Sequence, residues 1–309
     1  MRAVRNTGSG VGIVEVPEPD AGDARLRVKA ASICGSDLNL ASQGTMAYTY
    51  GHEFAGEVDG QRYAVEPAIC CGSCEQCLAG HPVRCTSANR ANLGFDADGG
   101  LAEWVVVPSY TLIPLSPSLD VRDACLIEPA AVAWHGVRVA QPRDGERLLV
   151  VGGGSIGLLV AAAARHMGFE VDLEARHRHQ IEAGERLGAG RPSGTYDLVF
   201  DAAGSTSGLQ RCADQVRIGG RLVLLSFYQD LVPFPGFAFM TKELTVRAAM
   251  AYGSHEGTRD CDDVAAMLAA NSEIASTLIT HRFPLDDAEE AFRVAGDRSA
   301  GAIKVVLEP

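Results

Sequence analysis

The sequence predicts an α/β protein in which a smaller, mainly β domain precedes a doubly wound parallel sheet. The first third of the chain holds short strand-like runs separated by glycine-rich turns. From about residue 137, apolar strand-like runs alternate with helical stretches, the pattern of a parallel sheet with helices on both faces. A chain of 309 residues is long enough for two such domains.

The elements follow in order along the chain. The strand-like runs of the first third are residues 12–16, 24–30, 53–58, 63–66 and 103–107. The middle predicts, in order, strand 147–151, helix 155–167, strand 170–174, helix 179–187, strand 197–202, helix 209–216 and strand 221–226. The tail, from residue 278, resembles the first third and predicts a helix at 285–293 and a final strand at 302–307.

Composition and charge exclude several classes of partner. With 27 Lys+Arg against 39 Asp+Glu, the net charge of −12 repels nucleic acid and anionic lipid, and 6% aromatic residues leave little surface for base stacking. The N-terminal residues lack the apolar run of a signal peptide, and the longest apolar stretch, 148–164, is interrupted by four glycines and is too short to cross a bilayer comfortably. We therefore expect a cytoplasmic protein with no nucleic-acid or membrane partner.

A glycine-rich loop lies between a predicted strand and a predicted helix. Gly152, Gly154 and Gly157 form G-x-G-x-x-G, which allows a tight turn, close approach of the backbone to a pyrophosphate and packing of helix on strand. We expect a Rossmann dinucleotide-binding loop with contacts from these glycines and from Ser155 and Ile156. The alternative is an ordinary turn of an α/β protein.

The end of the next predicted strand indicates which nicotinamide cofactor binds. NAD enzymes place Asp or Glu there to accept a hydrogen bond from the ribose 2′-hydroxyl. Counting back from the end of the following helix puts this position at Ala175, so that Glu174 points to the opposite side of the strand. Arg176 and Arg178 can pair with a 2′-phosphate, which favours NADP. A register error of one residue would instead give Glu174 the usual role in an NAD enzyme.

Five of the nine cysteines fall between residues 70 and 85. Cys71, Cys74, Cys77 and Cys85 make C-x2-C-x2-C-x7-C, a spacing that can wrap one tetrahedral ion, and in a reducing compartment a structural zinc is the natural occupant. We expect Cys70 to be a buried thiol outside this site.

A second set of candidate zinc ligands is dispersed along the chain. It comprises Cys34, His52 with Glu53, and Glu128. One thiolate, one imidazole and carboxylates can hold zinc with a position open to substrate, as a catalytic zinc requires. Taken singly, Cys34 could be a small core residue, His52 a histidine in a turn and Glu128 a charge at a helix start.

The two metal patterns followed by the glycine loop resemble the zinc-dependent medium-chain dehydrogenase/reductase family. The resemblance covers nearly the whole chain, including 196–204, 242–244 and 304–306, and residues 51–56 with 128–135 look most like the sorbitol, butanediol and threonine dehydrogenase branch. It implies a GroES-like catalytic domain (1–137), a Rossmann domain (138–276) and a C-terminal return to the catalytic domain (277–309). It also implies a catalytic zinc on Cys34, His52 and Glu53, with Glu128 as an additional or exchanging ligand, and a homo-oligomer, dimer or tetramer.

Three features depart from the family. The loop at 58–63 is abbreviated, and the segment between 190 and 196 lacks a strand that often borders the adenine pocket. Asn39 stands five residues after Cys34, where a family histidine passes the alcohol proton to solvent, and an amide cannot titrate near neutral pH.

The sequence therefore predicts an NADP-preferring dehydrogenase for a secondary alcohol, diol or polyol, or the matching ketone. Two zinc ions per chain are expected, one catalytic and one structural, and Ser36 is placed to relay the substrate proton. Candidate pocket walls are Tyr48, Tyr50, Phe95, Trp134 and Phe237. The alternatives are a zinc-free quinone or enoyl reductase, which would lack both cysteine patterns, and a non-catalytic NADP-binding protein, which would not need the catalytic ligands.

Overall fold

The computed structural model describes every residue except Ala21, Thr45, Gln229 and Asp230. The strands in the described residues are β1 (Arg2–Asn6), β2 (Val11–Glu15), β3 (Ala24–Ser32), β4 (Glu53–Val58), β5 (Gln61–Val65), β6 (Ala68–Ile69), β7 (Ala91–Asn92), β8 (Trp104–Val107), β9 (Leu112–Pro114), β10 (Leu148–Val151), β11 (Val171–Glu174), β12 (Tyr196–Asp201), β13 (Val216–Leu224), β14 (Thr245–Ala248), β15 (Ser254–His255), β16 (Thr258–Arg259), β17 (Ile279–Pro284) and β18 (Lys304–Glu308). The α-helices are α1 (Gly35–Gln43), α2 (Glu75–Leu78), α3 (Ile127–Ala140), α4 (Ser155–His166), α5 (Arg178–Arg186), α6 (Thr206–Gln215), α7 (Gly236–Thr241), α8 (Asp260–Ala270), α9 (Ser272–Leu278) and α10 (Ala288–Gly296).

The chain divides into two compact units, Met1–Glu128 with Gly253–Pro309, and Pro129–Tyr252. The domain boundaries expected from the sequence lie later, at 137/138 and 276/277. Two observations account for the difference. Helix α3 begins at Ile127, ahead of the change in sequence texture, and α8 and α9 pack against β9 and β17 of the first unit.

The first unit is built on a mainly antiparallel sheet. Its strand order is β17-β18-β3-β4-β5-β9, with β8 also paired to β3. In β3, apolar and polar residues alternate, so that Leu26 and Val28 enter the core while Arg25 and Arg27 do not. Strand β3 leads directly into Cys34, and its neighbour β4 begins at Glu53. The sheet therefore carries two of the candidate ligands on adjacent strand ends.

The second unit contains a parallel sheet with the order β11-β10-β12-β13-β14 across the described residues. All four residues of β10 are buried, as expected for a central strand covered on both faces. The glycine-rich loop joins β10 to α4. In the described chain between α5 and β12, β11 gains only an isolated bridge, between Asp172 and Gly190, and no further strand. Strand β11 therefore lies at an edge of this sheet. The mixed fold of the sequence prediction is confirmed.

No helix within the described part of the chain is both long and apolar enough to span a lipid bilayer.

Candidate active site and metal centres

Cys34 lies at the N-terminus of α1, where a buried carboxylate fixes its backbone. The N–H of Cys34 donates to Asp37 Oδ2 at 2.9 Å, and the N–H of Gly51 donates to Asp37 Oδ1 at 3.3 Å. Asp37 is fully buried and therefore holds two chain segments, those of Cys34 and His52, against each other. Asp37 was not among the predicted site residues, although an acidic residue in the first turn of a helix and next to Ser36 was a usable signal.

His52 is buried between a carboxylate and an aromatic ring. Its Nδ1 lies 3.6 Å from Asp37 Oδ1, and its ring centroid lies 4.7 Å from that of Phe95. These contacts turn Nε2 toward Ser36, whose hydroxyl oxygen is 3.3 Å away. Nε2 of His52, the ring nitrogen that would face a ligand, therefore lies next to the Ser36 hydroxyl that was predicted to relay the proton.

Glu53 has no exposed surface and is engaged by two other side chains. Lys304 donates to both of its carboxylate oxygens, at 2.9 and 2.7 Å, and Ser32 donates a third hydrogen bond. Burial alone would lower the pKa of Lys304, but the adjacent Glu53 carboxylate reverses this and the pKa is raised. Lys304 is thus a charged partner of a candidate ligand.

Glu128 is buried in the same region of the first unit. Burial raises the pKa of its carboxyl to about 7, while His52 lowers it and Glu53 raises it further. It does not belong to the compact group of donor atoms formed by Cys34, His52 and Glu53, which all lie within 4.8 Å of one another. A thiolate, an imidazole and a carboxylate at this separation form a donor set that suits zinc with an open position.

The four cysteines of the predicted structural site also come together. The Sγ–Sγ distances are 3.5 Å for Cys74–Cys77 and Cys71–Cys85, and 3.9 Å for Cys71–Cys77 and Cys74–Cys85. Zn–S bonds of about 2.3 Å in a tetrahedron place sulfur atoms about 3.8 Å apart, so the arrangement fits one zinc ion.

Backbone N–H groups lower the pKa of two of these thiols, Cys71 and Cys74, whereas burial raises the pKa of Cys77. Hydrogen bonds from the N–H groups of Thr86 and Cys77 lower the pKa of the Cys74 thiol to about 5. Cys70 was predicted to be a buried thiol, but its side chain is only partly buried, and it lies outside the four-thiol group.

The glycine loop of the second unit has the geometry that the pattern predicts. Gly152 adopts φ +116°, a conformation that L side chains rarely adopt, and a Cβ on Gly157 would come within 1.8 Å of the Gly152 carbonyl oxygen. Ser155 and Ile156 form the first turn of α4, whose free N–H groups suit an anion.

The end of β11 presents Ala175 and Glu174 to different surroundings. A Cβ on Gly153 would lie 2.5 Å from the Cβ of Ala175, so Ala175 faces the glycine loop. Glu174 is paired instead with Arg211 of α6, whose Nε donates to both of its carboxylate oxygens at 2.7 and 2.9 Å.

The two arginines of the predicted phosphate contact are exposed. Arg178 forms an ion pair with Glu182 one helical turn away, at 2.7 Å, whereas no ion pair involves Arg176 among the side chains that the structure describes.

Of the candidate pocket walls, Tyr50 is fully buried and packs edge-on against Phe292, so it belongs to the core and the expectation for it was wrong.

Comparison with known proteins agrees with this arrangement. Residues 20–117 match the family model of the alcohol dehydrogenase GroES-like domain. The L-threonine 3-dehydrogenase of Saccharopolyspora erythraea is 30% identical, over 100% of this chain and 99% of that protein. The L-galactonate-5-dehydrogenase of Escherichia coli K12 is 29% identical, over 90% of this chain and 89% of that protein.

A solved structure matches over the same extent. A protein classed as a zinc-binding dehydrogenase, from Sinorhizobium meliloti 1021 and bound to NADP, superposes with a TM-score of 0.86 at 29% identity, covering 100% of this chain and 99% of that one. The chain therefore belongs to the zinc-dependent medium-chain dehydrogenase/reductase family, as an alcohol-dehydrogenase-like oxidoreductase with a GroES-like and a Rossmann domain.

Proposed function

We propose that the protein is an NADP-preferring dehydrogenase that transfers a hydride between a secondary alcohol, diol or polyol, or the matching ketone, and the nicotinamide. The observation that carries this proposal is the grouping of donor atoms from Cys34, His52 and Glu53 within 4.8 Å, beside the Ser36 hydroxyl. A zinc ion bound there acts as a Lewis acid that lowers the pKa of a substrate hydroxyl.

The surrounding residues orient the site and move the proton. Asp37 holds the His52 ring and the Cys34 backbone in place, so that both donors are set before substrate arrives. Ser36 accepts the substrate proton and passes it on. Asn39 follows one turn later on α1 and can hold a hydrogen bond in the relay, but it cannot be the terminal base, so the proton leaves through water or another group.

Glu53 and Glu128 share the task of completing the catalytic donor set. Glu53 lies within reach of the other two donors, but Lys304 and Ser32 occupy its oxygens. Glu128 is buried in the same region but lies outside the compact donor group, and it is the additional or exchanging ligand. A second zinc ion on the four clustered cysteines has a structural role.

The preference for NADP rests on the end of β11. Ala175 is the residue that faces the glycine loop. It has no carboxylate that could accept a hydrogen bond from the ribose 2′-hydroxyl or repel a 2′-phosphate. The charge of Glu174 is balanced by Arg211, and Arg176, the residue after Ala175, is exposed. These contacts favour a phosphorylated ribose.

We further propose that the protein is a homo-oligomer that associates through the second unit. Phe227, Leu231, Phe234, Phe237 and Met240 are each at least 66% exposed. The neighbouring strand β14 is exposed along its length and, in the part of the chain that the structure describes, pairs with β13 alone. Antiparallel pairing of this edge with a second copy around a two-fold axis would cover both features.

Light scattering after size exclusion tests the oligomer proposal. Wild-type protein should elute as a dimer or tetramer, and Phe237→Asp should shift it toward monomer. A monomeric wild type would refute the proposal.

Metal analysis combined with a substrate screen tests the enzymatic function. Wild-type protein should hold two zinc ions and reduce NADP with at least one secondary alcohol, vicinal diol or polyol. Cys34→Ser should stay folded, hold one zinc ion and lose turnover, because it removes a catalytic ligand only. Near-normal turnover of Cys34→Ser with two zinc ions would show that the catalytic assignment is wrong.

A further inference from the structure

Asp201 is a buried carboxylate at the carboxyl end of β12, in the second unit and outside both candidate metal centres. It has no exposed surface. Its Oδ1 accepts hydrogen bonds from the N–H of Ala203 at 2.8 Å and from the N–H of Gly204 at 3.3 Å. The carboxylate therefore shapes the loop that follows β12.

Tyr228 binds the other oxygen of the same carboxylate. It lies four residues beyond the end of β13, and its hydroxyl donates a hydrogen bond to Asp201 Oδ2. In the same segment, the Leu225 N–H and the Ser226 hydroxyl donate to the Asp201 carbonyl, at 3.0 and 3.2 Å. The ring of Tyr228 packs against the apolar core of the second unit. The hydroxyl therefore connects the chain after β13 to the loop after β12 independently of how the ring packs.

The loop after β12 also lies against the glycine-rich loop. A Cβ on Gly152 would lie 2.7 Å from the carbonyl oxygen of Ala202, and a Cβ on Gly157 would lie 3.2 Å from the Ala202 side chain. Gly204 adopts φ +60°, and a Cβ there would lie 3.1 Å from the Phe227 carbonyl oxygen. The segments after β10, β12 and β13 thus meet at the carboxyl ends of neighbouring parallel strands, the edge at which open α/β sheets bind their ligands.

We propose that Tyr228 is a positioning residue for the nicotinamide cofactor and acts through Asp201 and the backbone of residues 202–204. This inference rests on the cofactor site of the proposed function. Without the Tyr228 hydroxyl, Asp201 Oδ2 is buried with no other donor among the contacts of the described residues. An unpaired buried oxygen is costly, so the carboxylate must turn or admit water, and the loop that it holds must shift.

The position of this loop bears on the part of the cofactor that NAD and NADP share. The glycine loop that rests on Ala202 binds the pyrophosphate, whereas the 2′-phosphate is recognised at the end of β11. The contribution of Tyr228 is therefore the same for both cofactors.

Calorimetric titration of NADP and of NAD into Tyr228→Phe tests the inference. The change keeps the ring and removes the hydroxyl alone. Both cofactors should bind about fivefold more weakly than to wild type, with the ratio of their dissociation constants unchanged. Wild-type affinity for both cofactors, or a loss confined to NADP, would overturn the inference. A wild type that binds neither cofactor would overturn the proposed function together with it.

Tyr196→Phe is the matched control for the loss of a hydrogen bond from tyrosine to a carboxylate. Tyr196 begins β12, at the opposite end of the same strand, and its hydroxyl donates to Asp172 Oδ2 at 2.7 Å. Tyr196→Phe should lower the urea midpoint, as Tyr228→Phe does, but keep both dissociation constants within about twofold of wild type. Equal weakening of cofactor binding in the two variants would indicate a general loss of stability and overturn the positioning role.

Amide hydrogen exchange of the cofactor-free protein measures the loop itself. Mass spectrometry of peptides that span residues 202–204 should show exchange about tenfold faster in Tyr228→Phe than in wild type, because the Ala203 and Gly204 N–H groups donate to Asp201. Tyr196→Phe should leave this exchange unchanged. Wild-type exchange of these peptides in Tyr228→Phe would show that the hydroxyl does not hold the loop, and would overturn the inference.

Discussion

Replacing Lys304 with methionine tests how Glu53, a proposed ligand of the catalytic zinc, is held. Lys304 and Glu53 form an ion pair in which the side chains are 2% and 0% exposed. Methionine has nearly the same length but no charge, so Lys304→Met leaves a buried carboxylate with Ser32 as its remaining side-chain donor among the described contacts. The first unit must then lose stability, because the Glu53 carboxylate stays buried without its cationic partner.

The size of the effect follows from burial. Lys304 donates to both oxygens of Glu53 and, at 3.4 Å, to the carbonyl of Ile33. Removing one member of a buried ion pair costs about 3–5 kcal/mol in folding free energy, because the other charge stays buried and unpaired. Adding Glu53→Gln should recover a large part of this loss. Lys29→Met is the matched control, since Lys29 pairs with Glu57 at 3.1 Å in a half-exposed position and should contribute about 1 kcal/mol at most.

Urea unfolding followed by tryptophan fluorescence measures these values for the first unit alone. The chain has two tryptophans, Trp104 in β8 of the first unit and Trp134 in α3 of the second. In a Trp134→Phe background, the signal therefore reports the first unit. Comparison at one zinc concentration should show the loss for Lys304→Met and not for Lys29→Met. Losses of similar size in both variants would refute the reasoning.

Three further predictions concern pH, cofactor and proton transfer. Burial raises the pKa of Glu66 from 4.5 to about 7, although Arg259 opposes this, so the folded state holds a proton that it loses as the pH rises through this range. The free energy of unfolding of Glu66→Gln, measured by urea titration, should therefore increase relative to that of wild type by up to about 3 kcal/mol as the pH rises from 4.5 to 8. A difference between the two proteins that does not depend on pH would contradict this. Arg176→Ala should weaken NADP binding by about 1.5–3 kcal/mol in fluorescence titrations and leave NAD binding nearly unchanged, and a wild type that binds NAD at least as tightly would refute the preference. Asn39→His should raise kcat/KM for alcohol oxidation near neutral pH and Ser36→Ala should lower it, whereas identical pH profiles for wild type and Asn39→His would place position 39 outside the proton path.

The parts of the site that sequence reasoning could predict are those encoded by short spacing. The four cysteines lie within 15 residues. Gly157, which lies against the Gly152 carbonyl, and Gly153, which lies against the Ala175 side chain, belong to one short segment. Local geometry then follows from local sequence, since a tight turn or a tetrahedral cluster constrains the residue types directly.

The parts that it missed depend on pairing between distant segments. Lys304 is 251 residues from Glu53 in the sequence, and the two meet because β18 and β4 both pair with β3. No local pattern reports such a contact. Strand β14 was missed for a different reason: it is only four residues long, too short for its polar–apolar alternation to stand out, and it has no buried face.

Transfer of an isotope label from alcohol to cofactor tests the central claim most directly. The enzyme is incubated with NADP and with the best alcohol of the substrate screen, deuterated at the carbinol carbon, and the reduced cofactor is analysed by mass spectrometry and NMR. Wild type should place one deuterium at C4 of the nicotinamide, and Cys34→Ser should place none above background. Cofactor reduction without deuterium transfer, or equal transfer by Cys34→Ser, would contradict a hydride-transferring dehydrogenase built on this site.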